Sequence, residues 1–267
     1  MFAAGASAVE MFMYMKRFVS FIALLAVLAM GSTVFAQTNG LSLHIGGSMP
    51  VGSFGKAGDA FMERYSGDGG AAKGLNLGLK LQYGIPVPIL PSIRLMVTAD
   101  AMYNDLQSDV KDLLEKPSEV ANDLFDITSP KYFNVPLMAG VNISHSLLGA
   151  VKVFGEAGLG VNFRMVTNLE RTISVPDLEG GTKDVTTSVS FDNTRTFAFQ
   201  VGLGVCLLNR LSLSVHYYNL GKAELSGSLS STEEAAALLG SWVDEAGKFS
   251  NGEIGTSMFM LRLGFHF

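Results

Sequence analysis

Seven charged side chains carry most of the chemistry this sequence offers: Lys80, Arg94, Asp100, Lys152, Glu156, Arg164 and Arg262. Each stands in a segment with few other charges and shares its parity with Gly, Asn, Ser, Thr or Gln neighbours. Such a set suits two tasks. Carboxylates held within reach of ammonium or guanidinium groups form buried ion pairs, and the same groups strung along a bore line a path for small ions. Hydrolysis or acyl transfer would need a nucleophile, a base and an orienting group instead. His216 shares a face with Ser214, but neither neighbouring strand segment supplies a carboxylate there, and His44 and His266 lie toward one end. We therefore expect no enzyme, no metal site and no cofactor. Cys206, the only cysteine, has no His or Cys partner at metal-ligand spacing and reads as a small buried residue. The interior glycines form no phosphate loop, since none opens a helix after a buried strand.

The elements that must hold these charges are strands. Leu75, Leu77, Leu79, Leu81 and Tyr83 alternate with Asn76, Gly78, Lys80, Gln82 and Gly84. The same period of two recurs over 41–46, 93–103, 132–143, 151–164, 196–207, 211–218 and 257–267. In the last segment Phe259, Leu261, Leu263, Phe265 and Phe267 share one face, opposite Met258, Met260, Arg262, Gly264 and His266. Apolar residues on one parity and polar or small ones on the other describe strands with one face in lipid and one in a lumen. Eight such segments, most near the length a tilted strand needs to cross lipid, make an antiparallel sheet that closes without an edge. A water-soluble lipocalin-like barrel is the structural alternative.

Connection lengths sort by side. The joins at 85–91, 144–149 and 208–210 are short, whereas the other four run to roughly 20–35 residues, as in barrels with short periplasmic turns and long outer loops. Tyr103, Phe133, Phe163, Phe197, Tyr217 and Phe259 mark the loop ends of their strands, and Tyr83, Phe265 and Phe267 the turn ends, which makes two aromatic girdles. Phe154 breaks the pattern by pointing inward, and Pro136 implies a bulge.

Lys16 and Arg17 precede the apolar run 18–30, and Val34-Phe35-Ala36 offers a signal-peptidase site before Gln37. Residues 1–36 are thus expected to be a cleaved signal peptide, with Met15 as the true start and 1–14 an extension, and residues 37–267 one barrel domain. Cleavage removes Lys16, Arg17 and Glu10 from 19 basic and 24 acidic residues, leaving 17 and 23. That acidic balance argues against nucleic acid as a partner. All but two of the acids, Asp100 and Glu156, fall in the long connections. Eight strands leave a bore just wide enough for side chains, so Glu156 is expected beside Lys80 and Arg262 in a packed lumen.

The long connections carry patterns of their own. Asp59–Tyr65 and 105–125 show short helical periods, and residues 186–191 alternate after Gly180-Gly181, which predicts a hairpin prolonging the fifth and sixth strands. Ser231 and Glu234 form a capping box before a helix over about 232–247, whose Leu238, Leu239, Trp242 and Val243 make a candidate partner surface or a face packed on the barrel rim.

With its cleavable signal, eight alternating segments, three short turns, four long loops and terminal Phe267, the chain resembles the small outer-membrane β-barrel domain family of outer membrane protein A- and X-like barrels. The resemblance is architectural and covers 37–267. It implies an all-β fold, an eight-stranded antiparallel transmembrane up-and-down β-barrel in the outer membrane of a Gram-negative bacterium, with periplasmic termini. It also implies contact with outer-membrane lipid and lipopolysaccharide. The last strand, Phe259, Leu261, Leu263, Phe265 and Phe267, would be read by the barrel-assembly machinery. Because the chain stops there, no peptidoglycan-binding domain is expected to follow. The function expected is structural or surface-interacting, through the loops and an unknown extracellular or envelope partner. A narrow passive channel for small molecules is the alternative.

Overall fold

The computed structural model describes residues 39–56, 68–85, 92–110, 125–148, 150–176, 182–231 and 249–267. Eight strands close the barrel: β1 (Asn39–Val51), β2 (Ala71–Ile85), β3 (Ser92–Leu106), β5 (Tyr132–Leu148), β6 (Val151–Val166), β9 (Thr194–Leu207), β10 (Leu211–Ser231) and β11 (Phe249–His266). Each pairs antiparallel with the next, and β11 returns to β1, so no edge is left around the cylinder. Following paired residues once around leads from Leu41 through Leu81, Val97, Ala139, Leu159, Phe199, Asn219 and Ser257 to Val51. The ladder therefore closes ten residues further along β1 than it began. This stagger sets the strand tilt and a bore that side chains fill.

The two faces are inverted relative to a water-soluble barrel. Leu77, Val97, Leu137, Leu159, Leu203, Leu213 and Leu263 stand exposed on the outside, whereas Lys80, Asp100, Asn134, Gln200 and Arg262 are buried within. An apolar exterior around a polar interior is the membrane arrangement, because lipid solvates the first and only the lumen can satisfy the second. Ring contacts tie the outer belt together at the loop end: Tyr103 meets Phe133 at 5.2 Å, and Tyr217 meets Phe259 at 5.3 Å. At the opposite end Phe265 and Phe267 stack edge to face at 4.9 Å.

Three further strands stand beyond the cylinder: β4 (Phe125–Thr128), β7 (Leu169–Pro176) and β8 (Thr182–Phe191). The hairpin expected after the fifth barrel strand is β7 paired with β8, and it docks sideways, β8 on residues 227–231 of β10 and β7 on β4. The last connection is correspondingly shorter than the sequence suggested. β10 and β11 continue pairing through two register shifts, from Asn219 and Ser257 out to Gly227 and Phe249. Pro136 causes no bulge. Its register with Asn162 is regular, and on the β3 side the pairs of Asp100 and Ala101 drop out of the ladder while the register holds, as expected where proline has no N–H to give. The turn joining β9 to β10 has Leu208 and Asn209 both at positive φ, with the Arg210 N–H donating to the Leu207 carbonyl, a geometry that suits strand twist. The helices expected over 59–65 and 232–247, with Leu238, Leu239, Trp242 and Val243, lie outside the described residues, as does the signal peptide. Of the helix expected within 105–125, Ser108–Val110 are helical, Asp105 and Leu106 instead end β3, Phe125 starts β4, and 111–124 lie outside the described residues.

Leu203 sits mid-strand in β9 and is 73% exposed on the outer face. Leu203→Arg is expected to cost about 2–4 kcal/mol of stability by placing a charge in hydrocarbon. Urea unfolding from lipid vesicles measures this, and an unchanged midpoint would mean that the face does not meet lipid.

Candidate functional site

Inward side chains fill the lumen in layers, and most of the candidate charges meet in the middle one. Lys80 from β2 pairs with Glu156 from β6, and the Asn142 amide donates to the same carboxylate oxygen at 2.8 Å. Arg262 from β11 holds Asp100 from β3 at 3.1 Å and donates to the Tyr218 hydroxyl at 2.5 Å. Tyr218 in turn donates to Asp100 at 3.0 Å, and Asn76 donates to Asp100 at 3.2 Å. Lys80 is 2% exposed and Arg262 1%, so each charge lies out of water and depends on its partner. Arg262, expected beside Glu156, makes its own ion pair with Asp100.

Glycines make these contacts possible. Gly202 lies between Glu156 and His216 along one rung, and with no side chain there Glu156 Oε2 comes within 3.9 Å of His216 Nε2 from two strands away. The sequence reading, which looked only at adjacent strands, found no carboxylate for His216. The geometry is still not that of a hydrolase. Ser214 Oγ contacts the same nitrogen at 3.0 Å, and Nδ1, where an orienting carboxylate belongs, has no partner. Phe154, the inward misfit, lies across Gly204, where a Cβ would meet its ring at 2.5 Å, and Lys80 Nζ stands 5.3 Å above that ring.

The remaining three candidates lie apart. Among the described residues Arg164 joins no carboxylate. From β6 it donates across the lumen to the carbonyls of Ala223 at 2.9 Å and Ile254 at 3.2 Å, and to the Thr256 hydroxyl at 3.3 Å. Arg94 and Lys152 sit half-buried toward the turn end, where Arg94 donates to Gln82 at 3.4 Å. Cys206 is buried, free of disulfide and inward-facing. Among the described residues no group of His, Cys, Asp or Glu is arranged to hold a metal.

Sequence reasoning missed the layer nearest the loops. There the lumen is apolar: Phe54, Leu106, Tyr132, Leu220, Ile254 and Met258 belong to one buried cluster. Phe54 comes from a 3-10 turn, Gly52–Gly55, that folds inward after β1 and packs edge-on against Tyr132 at 5.1 Å. The Tyr132 hydroxyl donates to the Gly69 carbonyl at 2.6 Å, the Gly69 N–H donates to Ser53 O at 2.7 Å, and the Gln107 N–H donates to Gly70 O at 2.8 Å. Both ends of the first loop are thereby fastened over the bore. The one available signal was Phe54 itself, an aromatic next to glycines just past a strand.

No family model matches the sequence, and no curated protein does. Among solved structures, Neisserial surface protein A is 12% identical with a TM-score of 0.42, over 85% of this chain and 95% of that one. The attachment invasion locus protein Ail of Yersinia pestis, in complex with a heparin analogue, is 13% identical with a TM-score of 0.40, over 86% and 100%. The outer membrane protein OprG of Pseudomonas aeruginosa is 13% identical with a TM-score of 0.41, over 86% and 96%.

Glu156→Gln leaves Lys80 buried without its counter-charge, and we expect it to destabilise the folded barrel by about 3–5 kcal/mol. The double variant Lys80→Met, Glu156→Leu should cost less than Glu156→Gln alone. Urea-unfolding midpoints in detergent separate the three proteins, and equal midpoints for wild type and Glu156→Gln would show that the pair contributes nothing.

Proposed function

We propose that this protein is a Gram-negative outer-membrane barrel that acts through its loop surface rather than through its lumen. The observation that carries this reading is the double closure of the bore. A channel needs a continuous wet path, but here an apolar cluster anchored by Phe54 and Tyr132 caps a layer of paired charges. Above that cap the wall continues as β4, β7, β8 and the extended β10, a sheet that carries the loop sequences away from the lipid belt. Most acids of the chain lie in these outer segments, which suits recognition in water more than permeation.

In this reading the short turns and both termini are periplasmic and the long loops face outward. The apolar wall contacts outer-membrane lipid. Arg195, 5.4 Å above the Phe163 ring on the loop side of the belt, is placed to meet lipopolysaccharide phosphates. Leu238, Leu239, Trp242 and Val243 remain the proposed partner surface. Phe259, Leu261, Leu263, Phe265 and Phe267 remain the proposed assembly signal.

Replacing residues 232–248 by a short Gly-Ser linker is expected to abolish binding to cell or envelope surfaces while the protein stays heat-modifiable. Residues 225–231 and 249–252 are kept because 225–227 pair with 249–251 of β11 and 227–231 also carry β8. A stable single-channel current from the intact protein in planar bilayers, enlarged by Phe54→Ser, would overturn the reading in favour of transport. For the assembly signal, Phe267→Asp should reduce folded protein in the outer membrane of cells several-fold while leaving the urea midpoint of refolded protein nearly unchanged, and equal insertion would refute that role.

A further inference from the structure

The turn end of the lumen holds groups that neither the paired charges nor the apolar cap employs. Arg94 of β3 and Lys152 of β6 point into it, and among the described residues neither has a carboxylate within 4.0 Å. The turn sequences 86–91, 149–150 and 208–210 contain no Asp or Glu. Glu156 offsets Lys80 and Asp100 offsets Arg262, whereas Arg94 and Lys152 have no paired carboxylate among the described residues. Lys152, Cys206 and Ser212 share one rung of the ladder, and Arg94 lies two strands from Lys152 at the same end.

Buried polar groups without partners lie between this end and the layer of ion pairs. His44 is 3% exposed with neither ring nitrogen bonded, Ser212 is 2% exposed with its hydroxyl unbonded, and His266 lacks a partner at Nε2. Gly264 separates His44 from Ser212 along one rung, and a Cβ there would stand 2.6 Å from His44 Nδ1 and 2.4 Å from Ser212 Oγ. The absent side chain is what lets both groups address one spot. The His266 ring lies edge-on to His44 at 6.2 Å, and its Nδ1 is held by Ser42 at 2.7 Å.

Two imidazoles can bind a soft metal, but among the described residues no His, Cys, Asp or Glu group is arranged to hold one, and charge points the same way. A divalent cation would enter against the positive charges of Arg94 and Lys152. An oxyanion would offset them and accept hydrogen bonds from the buried donors, the combination that makes charge-assisted bonds strong. We propose that the turn end of the lumen binds one small oxyanion of the phosphate class, held by Arg94 and Lys152 with His266 and Ser212 as donors. Free phosphate and the headgroup of an anionic phospholipid reaching over the rim share this chemistry.

The test uses the full chain folded in phosphate-free maltoside micelles, with inorganic phosphate titrated calorimetrically at constant chloride. One saturable site per barrel is expected, weakened roughly tenfold or more in the double variant Arg94→Gln, Lys152→Gln, and also weakened in His266→Asn. Lys152→Gln alone, at a half-buried rim position, is measured alongside in case the double variant folds poorly. Phosphatidylglycerol retained by wild type and lost by the variant assigns a lipid source, and phosphate binding in lipid-free micelles assigns a free anion. Neither phosphate binding nor retained lipid in folded wild type would overturn the proposal, as would binding unchanged in the variants. Tighter binding of Zn²⁺ than of phosphate, abolished by His44→Asn, would overturn it in favour of a metal.

Discussion

A cylinder of eight strands has too narrow a bore to take a long side chain from every inward position, and the interior is organised by how that space is divided. Where one strand contributes Glu156, Asp100 or Phe154, the facing rung contributes Gly202, Gly78 or Gly204. Long groups then reach across instead of colliding with their neighbours. Tyr218 on β10 and Asp100 on β3 are four strands apart in a ring of eight, so their hydrogen bond spans the full diameter. Lys80 to Glu156, Arg262 to Asp100 and Arg164 to Ile254 each cross three strands. The braces tie opposite sides of the wall together inside the bore that the ladder sets.

The same division polarises the molecule along its axis. Acids concentrate toward the loops, Arg94 and Lys152 stand toward the turns, and a neutral layer of ion pairs and an apolar cap lie between them. Each layer is placed where its solvation cost is least. Charges at the ends keep access to water, and charges in the middle have partners because nothing else there can satisfy them.

Much of the cylinder was legible in the sequence because strand periodicity states which residues share a face, and a one-residue slip would expose the whole polar set to lipid. The inward assignment of Phe154, the hairpin within 169–191 and the aromatic belts came from the same alternation. Contacts between strands that are not adjacent were not legible. Pairing Glu156 with His216 across Gly202, or sending Arg262 to Asp100 rather than Glu156, depends on the closing stagger, which no local pattern encodes. The inward fold of Gly52–Gly55 was hidden for a related reason: a short turn gains its burial from strands far away in sequence. Pro136 misled because one missing donor can be absorbed by dropping pairs from the ladder as well as by a bulge.

The braces have a bearing on how such a wall can be built. Two of them, Arg262 to Asp100 and Arg164 to Ile254, need β11, the last strand, so a partly assembled ribbon holds Asp100 and Arg164 without those counterparts. Presented to hydrocarbon in that condition, the ribbon would be expelled. The growing sheet therefore has to curl around its own charged face, or have that face sheltered, from the first strands onward. Once the seam shuts, opening it again means exposing all those groups at the same moment. The finished cylinder is thus a one-way latch, with its resistance to unzipping stored in the interior and not at the seam.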